Sequence, residues 1–276
     1  MRCLRLLSFK SILNKSVGGT KMKKIMSFIF LTAIVSLNAI AVEYEVRSEF
    51  IYCTLNEGMT LEDAAEQAKE YGKFSKEQGT KYMQSMLVPI HAGETKYDYV
   101  LWGSWPDGQA MYDEWGSYLN DYDESFASTD NDSSESAGEC NARVAMFNNG
   151  MAHNREVAQR DKRQPVQFAG CTFKEGKNLD DLWKVIKADT ELLTENGFSG
   201  FGRHAFLPYL GFNADYPYDF VDMLHWYSFE RRGHMANNYG AFVEKYPDAE
   251  AGFNEVAECG PSKSFYSELL FNNIDG

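Results

Sequence analysis

The alternation of apolar and polar positions along the chain predicts strands and amphipathic helices in an order that occurs twice. In each half of the chain the order is strand, helix, strand, strand, helix, strand. Apart from the strand that ends at Cys171, the predicted strands cover 45–55, 81–90, 97–105, 143–148, 201–210, 218–228 and 265–271. The pattern therefore predicts an α+β protein built from two similar units.

The first helix of each half begins at a capping signal. Thr60 is followed three residues later by Asp63, as in a capping box, and Asn178 and Asp181 repeat this arrangement. The second helix of each half has apolar residues at helical spacing on one face. These residues are Met111, Trp115, Tyr118, Leu119 and Tyr122 in the first half, and Met235, Tyr239, Phe242, Val243 and Tyr246 in the second.

Direct comparison of the two halves shows matching residues at a nearly constant offset. Residues 53–63 align with 171–181 at an offset of 118, and Trp105 aligns with Trp226. Such self-similarity indicates an internal duplication. We interpret residues 42–149 and 165–276 as the two copies, with 150–164 as the linker between them.

The repeated βαββαβ order is that of the ferredoxin-like unit. Two such units in one chain resemble the dimeric α+β barrel superfamily, which includes antibiotic-biosynthesis-monooxygenase-like, NIPSNAP-like and haem-degrading proteins. The resemblance covers about residues 43–149 and 165–274, and it rests on element order and the repeat. It implies two ferredoxin-like units packed sheet to sheet as an intramolecular dimeric α/β barrel, and it implies a fold more firmly than an activity.

The first 41 residues have the parts of a secretory signal peptide. Three lysines precede an apolar run over 25–35, and 39–41 reads Ala-Ile-Ala, which is typical of a cleavage site. We predict a translation start at Met22, a mature N-terminus at Val42 and a periplasmic or secreted location. The alternative is a retained membrane anchor, but the segment is short and polar for a span. No other stretch is apolar and long enough to cross a membrane.

Removal of this segment makes the protein strongly acidic. It removes seven of the 27 Lys and Arg residues and none of the 40 Asp and Glu residues, so the formal net charge becomes −20. Such a surface repels nucleic acid and anionic lipid, so we expect neither as a partner. Since the barrel would be completed within one chain, we expect a monomer.

Four cysteines remain in the mature chain, one near each end of each copy. An even number in an exported protein favours disulfides. In the ferredoxin-like order the first and last strands are antiparallel neighbours, which implies Cys53–Cys140 and Cys171–Cys259. A metal site or reactive thiols are the alternatives, and no Cys-x-x-Cys motif or Cys/His cluster supports them.

An acidic, Ser- and Asn-rich loop over 120–139 interrupts the first copy. A solvated loop is the simpler interpretation. A calcium site at Asp130, Asp132 and Glu135 is the alternative, but the spacing lacks the Gly and the distal Glu of an EF-hand. We therefore expect no calcium.

A pair of histidines is the first candidate for chemistry. If the hairpin around 213–216 is regular, His204 and His225 face each other across two strands. Ser85 and Ser104 occupy the matching positions in the first copy. The histidines could bind a metal with a third ligand or act as acid and base, with Arg203 as a further polar group. Cross-strand His pairs are, however, often surface groups with no chemistry.

On the other sheet face, the same register pairs Arg203 with Trp226, and Gln84 with Trp105. A Trp beside a polar or cationic neighbour could line a cleft between the sheets and hold a ligand by stacking or by cation–π contact. Core packing is the alternative.

The resemblance to haem-degrading barrels implies one further site. Those barrels combine a Trp on the third strand, a His on the next helix and an Asn on the first strand. Trp226 and His234 stand in comparable elements, but Gln167 is found where Asn would be sought, and the first copy has no matching His. We therefore expect no haem and no other cofactor.

Three functions remain open from the sequence. The first is an exported protein that binds a small apolar or aromatic ligand between its sheets. The second is a cofactor-free enzyme of the monooxygenase or isomerase type found in the superfamily, and the third is a structural or interaction module. No nucleotide-binding, hydrolase or metalloprotease motif is present.

Overall fold

The computed structural model describes residues 46–122, 136–154 and 160–274, and for 151–154 and 250 only the backbone. The predicted signal peptide and the calcium ligands Asp130, Asp132 and Glu135 lie outside these residues. We call 46–154 the first half and 160–274 the second half. All of the described residues belong to one compact unit.

The first helix of each half begins directly after its predicted capping residue, Thr60 or Asn178, whereas the short helix Pro247–Val256 was not predicted from the sequence. The helices are α1 (Leu61–Glu77), α2 (Gly108–Ser117) with a π-helical turn at Tyr118–Tyr122, α3 (Leu179–Glu195), α4 (Phe229–Lys245) and α5 (Pro247–Val256). The capping box is confirmed, since Asp63 N donates to Thr60 Oγ1 at 3.2 Å and Thr60 N donates to Asp63 Oδ2 at 2.8 Å. Asn178 caps α3 in a similar way.

The strands form one closed antiparallel barrel. They are β1 (Arg47–Leu55), β2 (Met83–His91), β3 (Tyr99–Trp105), β4 (Gly138–Asn154), β5 (Arg163–Phe173), β6 (Phe201–Leu210), β7 (Phe220–Trp226), β8 (Ala257–Cys259) and β9 (Lys263–Asn272). The first half has the order β4-β1-β3-β2, and the second half has β6-β7-β5-β9 with β8 beside β5. Pairings β4–β6 and β2–β9 join the halves into an eight-stranded barrel.

This closure confirms the α+β barrel that the resemblance implied and corrects two details of the expectation. The two sheets do not meet only face to face, because their edge strands hydrogen-bond to each other and leave no free edge between the halves. In addition, the segment 150–164 is not a simple linker. β4 continues through Asn154 and β5 begins at Arg163, because the backbone of 150–154 pairs with β6.

Both predicted disulfides are present. Cys53 is bonded to Cys140, and Cys171 is bonded to Cys259. In each case the two residues lie directly opposite each other on neighbouring antiparallel strands. Each bond therefore joins the first strand of its half to the chain segment that leads into, or forms, the last strand.

Side chains of each strand alternate between the barrel interior and the helices outside. The interior core contains aromatic and aliphatic residues of both halves, namely Phe50, Leu87, Val100, Met146, Val166, Phe206, Met223 and Phe265. The outer face packs against α1 and α2 in the first half and against α3, α4 and α5 in the second. Among the described residues, no helix is long and apolar enough to cross a membrane.

The predicted hairpin register is wrong by two residues in both halves. His225 lies opposite Gly202 rather than His204, and Gln84 lies opposite Gly103 rather than Trp105. The prediction assumed a regular turn at 213–216. Pairing of β6 with β7 instead ends at Phe206 and Val221, so a longer loop joins the two strands. A shift of two does not change which residues share a face of the sheet.

Candidate functional site

A cavity of about 490 Å³ opens into the barrel interior at one end. Both halves of the chain contribute to its wall. Its lining is mostly apolar and aromatic, and includes Phe50, Leu87, Val100, Val144, Met146, Phe168, Phe212, Val221 and Phe265. The exposed lining residues Gly211, Asn213 and Lys263 mark its mouth.

The floor of the cavity is a cluster of interlocked rings centred on Phe50. Its ring meets Phe168 edge-to-face at 5.8 Å and Phe206 edge-to-face at 5.4 Å, and it stacks with Trp102 at 6.1 Å. Phe168 also meets Phe265 edge-to-face at 5.6 Å. Edge-to-face contacts of this kind fix ring orientation, so the floor is a preformed aromatic surface.

Three tyrosines supply polar groups to this otherwise apolar wall. The rings of Tyr52 and Tyr97 lie 5.1 Å apart, and Tyr216 packs on Phe212 at 4.6 Å. Burial, together with the neighbouring Tyr97 and Tyr216, raises the pKa of Tyr52 to about 12. Burial also raises the pKa of Tyr97 and of Tyr216. At neutral pH the three hydroxyls are therefore protonated and can donate hydrogen bonds to a ligand.

A separate polar group of residues lies on the interior face outside the cavity lining. His204 Nδ1 is 2.8 Å from Asn148 Oδ1, and Asn148 Nδ2 donates to Ser48 Oγ at 3.1 Å. Ser48 Oγ is in turn 2.7 Å from Ser104 Oγ, and both serines are buried. His225 joins this group, with its ring 5.5 Å from that of His204. The structure thus brings the two histidines together, as diagonal neighbours rather than directly opposite.

Arg203 does not belong to this histidine group. It points to the helix side of the sheet, where its guanidinium makes two hydrogen bonds to Asp222, at 2.7 and 3.0 Å. Alternation along β6 separates it from His204, its neighbour in sequence. An arginine held by a buried carboxylate on the far side of the sheet cannot act on a ligand inside the barrel.

The predicted tryptophan cleft between the sheets is wrong in its location. Trp105 is fully buried on the helix side and stacks on Tyr82 at 4.8 Å, and Gln84 lies on the same side. Trp226 is also buried against helices, where its Nε1 donates to Met235 Sδ. The face of the sheet that packs against the helices is also apolar, so burial alone does not tell which face lies inside the barrel.

The residues that line the cavity were not selected from the sequence, although a signal for some of them existed. Phe50 and Phe168 match at the same offset of 118 that relates Cys53 to Cys171. Alternation then places Tyr52 on the same face as Phe50. Tyr216 could not have been found in this way, because it lies in the loop before β7.

Comparison with known proteins gives a similarity of architecture only. No protein-family model and no curated protein sequence matches the chain. Similar solved structures include chlorite dismutase from Candidatus Nitrospira defluvii in complex with imidazole, at 7% identity and a TM-score of 0.47, covering 86% of this chain and 96% of that one. An anthrone oxidase-like protein has 12% identity and a TM-score of 0.43, with coverages of 83% and 92%. Nothing about activity follows from such values.

The expectation that the protein takes no cofactor is nevertheless contradicted. The similar structures include chlorite dismutases, and chlorite dismutases bind haem. The residues that the sequence suggested for haem do not fit that group, however. His234 is exposed on α4 and lines a shallow 260 Å³ depression with Phe198 and Asn238, while Trp226 is buried beneath the helix and does not reach that depression. Among the described residues, no group of three or more His, Cys, Asp or Glu side chains is placed to hold a metal ion.

Proposed function

We propose that the protein binds a small, mainly aromatic ligand in the barrel cavity. The observation that carries the proposal is the 490 Å³ cavity with a preformed aromatic floor. Small-molecule sites are typically concave, largely apolar and of about 300–1,000 Å³, with a few placed polar groups. A structural module would be expected to fill this space with side chains instead, as protein interiors are normally close-packed.

The tyrosines at the wall indicate what kind of ligand fits. Tyr52, Tyr97 and Tyr216 offer protonated hydroxyls, and Lys263 is the one cation among the described residues of the lining. A hydroxyl or carboxylate on the ligand can accept hydrogen bonds from these groups while its ring packs on the floor. A phenol or an aromatic carboxylate therefore matches the cavity better than a wholly apolar molecule.

The test is calorimetric titration of the protein with p-cresol, a phenol small enough for the cavity. Val144 is half-buried in the wall, and Val144→Trp places an indole inside the cavity. Leu119→Trp, at a position that is 64% exposed outside the barrel, is the matched control. We expect p-cresol to bind the protein and the control with equal affinity, and Val144→Trp to lose binding at least tenfold. Equal binding by all three proteins would refute the proposal.

A second candidate function is an enzyme of the monooxygenase or isomerase type. What favours it is the row of hydrogen bonds that runs from the buried Ser104 and Ser48 through the half-buried Asn148 to His204, with His225 alongside. A histidine oriented by an amide can act as an acid or a base inside the barrel. The test is mass spectrometry of aromatic compounds incubated with the protein. Conversion that is lost in His204→Ala would support the enzyme, and recovery of unchanged compounds would refute it.

We also propose that the chain is an exported internal duplication. Two disulfides support an oxidising compartment. The matching orders β4-β1-β3-β2 and β6-β7-β5-β9 support two equivalent halves. Export is tested by N-terminal sequencing of the secreted protein, which should begin at Val42. A start at residue 1 or 22 would contradict cleavage.

A further inference from the structure

A second, smaller cavity lies outside the barrel, between the first half of the sheet and helices α1 and α2. Its volume is about 210 Å³. It is separate from the barrel cavity, because it is lined by the opposite side chains of the same strands: Glu49 and Ile51 of β1 line this cavity, whereas Phe50 and Tyr52 line the barrel cavity. Nothing in the proposed function of the barrel depends on it.

Two buried carboxylates face this cavity, each already bound to a tyrosine hydroxyl. Tyr82 Oη donates to Glu49 Oε1 at 2.8 Å, and Tyr71 Oη donates to Glu114 Oε1. Glu49 is 3% exposed and Glu114 is 2% exposed. Carboxylates are rarely buried to this degree without charge pairing, because transfer of an anion from water is costly.

Two further acceptor atoms at the cavity make no hydrogen bond within the described residues. They are Glu49 Oε2 and Gln84 Oε1. Gln84 is 3% exposed, and its Nε2 is used in a bond of 2.9 Å to Tyr82 Oη. Buried polar atoms almost always have partners, so a pair of unused acceptors beside one cavity points to an occupant that donates hydrogen bonds.

The charge at the cavity is also unbalanced. Arg143 is the one cation among the described lining residues, and its side chain is 44% exposed. Its Nε lies 3.6 Å from Glu49 Oε2, which is too long for a hydrogen bond. One half-exposed cation thus faces two buried carboxylates. The pKa of Glu49 is raised, because burial and the charge of Glu114 outweigh the lowering by the charge of Arg143 and by the hydrogen bond from Tyr82.

The second half shows how the same position is satisfied there. Tyr99 and Phe220 occupy equivalent positions in the two halves, because Tyr99 lies opposite Cys53 and Phe220 lies opposite Cys171. Four residues further along, Gly103 of the first half is therefore equivalent to Leu224 of the second. Their cross-strand partners are Gln84 and Arg203. Arg203 fills its site with a guanidinium bound twice by Asp222. In the first half a neutral amide replaces that built-in cation, and an open cavity remains.

We propose that this cavity is a binding site for a small organic ligand carrying a primary ammonium group. The ammonium would donate to Glu49 Oε2 and Gln84 Oε1 and balance the second carboxylate. The remaining wall is largely aromatic, with Tyr71, Tyr99, Trp115, Tyr118 and Tyr122, and such faces attract cations and pack against rings. A cavity of about 150 Å³ is known to hold benzene. This cavity is larger, so it has room for one ring with a short aminoalkyl chain.

The experiment compares 2-phenylethylamine, which is protonated at pH 7, with neutral 2-phenylethanol, by calorimetry on the intact protein. We expect the amine to bind at least ten times more tightly than the alcohol. Glu49→Gln, which keeps the side-chain shape, should lower affinity for the amine at least tenfold and leave the alcohol unchanged. Glu258→Gln, at an exposed carboxylate paired with Lys174, is the matched control and should change neither.

Two more variants keep the result interpretable. Gln84→Arg should abolish amine binding by placing a guanidinium in the cavity, as Arg203 does in the second half, and it tests the idea even if Glu49→Gln fails to fold. Val144→Trp, which fills the barrel cavity, should leave amine binding unchanged. Equal affinity for amine and alcohol, or full binding by Gln84→Arg, would overturn the proposal. Loss of amine binding in Val144→Trp would assign the amine to the barrel and overturn it as well.

Discussion

Removal of one disulfide is the perturbation whose cost can be worked out most directly from the structure. Cys53 and Cys140 are separated by 87 residues, and Cys171 and Cys259 by 88. The chain-entropy relation gives an entropy loss of about 15 cal/mol/K for a closed loop of this length, or about 4.6 kcal/mol at 25 °C. Measured losses for native disulfides are about 2–5 kcal/mol. We therefore expect Cys53→Ala/Cys140→Ala to lower the free energy of unfolding by about 2–5 kcal/mol.

The assay is urea unfolding without reductant, followed by circular dichroism, for the wild type and for each double alanine variant. Because the two loops are nearly equal in length and do not overlap in sequence, the two variants should lose nearly the same stability. A loss below about 1 kcal/mol in either variant, or a difference between the variants of more than about 1 kcal/mol, would refute the loop-entropy reasoning.

Three further outcomes follow from the packing. In Gly103→Ala the new Cβ would clash with Tyr82 Oη, so the phenol must move. We expect a loss of about 1–3 kcal/mol in urea unfolding, as for a broken buried hydrogen bond, and unchanged stability would contradict the contact. The raised pKa of Tyr52 means that the folded state holds this proton more tightly than the unfolded state, whose pKa is about 10, so its contribution to stability is complete below pH 10 and lost as pH approaches 12. In ultraviolet pH titration Tyr52→Phe should lose one of the tyrosines that ionise near pH 12, Tyr122 being another, and an identical titration in that variant would disprove the shift. Arg203→Met leaves Asp222 buried without its cation and should lower the free energy of unfolding by about 3–5 kcal/mol. The double variant Arg203→Met/Asp222→Leu should regain most of this stability, and a double variant as unstable as the single one would argue against the ion pair.

Local sequence signals predicted the elements of the fold well, because each rests on short-range physics. The capping box at Thr60 and Asp63 fixes the start of α1, and β6 covers the same residues, 201–210, that alternation indicated. The disulfides followed once the first and last strands of each half were taken as neighbours. The resemblance implied a barrel, but the edge pairings β4–β6 and β2–β9 that close it were not visible, since edge pairing depends on backbone atoms that carry no sequence signal.

The candidate sites were predicted less well, for two physical reasons. The chain between Phe206 and Val221 is not a tight turn, so its midpoint does not set the register of His204 and His225. The barrel interior and the helix-packed face are both apolar, so sequence could not say which face carries Trp105 or Arg203. Glu49 and Glu114 come from elements far apart in sequence, and only folding brings them to one cavity.

The central claim is that the barrel interior receives an aromatic ligand. The direct measurement is nuclear magnetic resonance of the protein with p-cresol, observing magnetisation transfer between ligand ring protons and protein methyl groups. We predict contacts to the methyl groups of Leu87, Val100 and Met146, all of which line the cavity and are at most 2% exposed. Contacts confined to surface methyl groups, or none at these three residues under saturating p-cresol, would contradict the account.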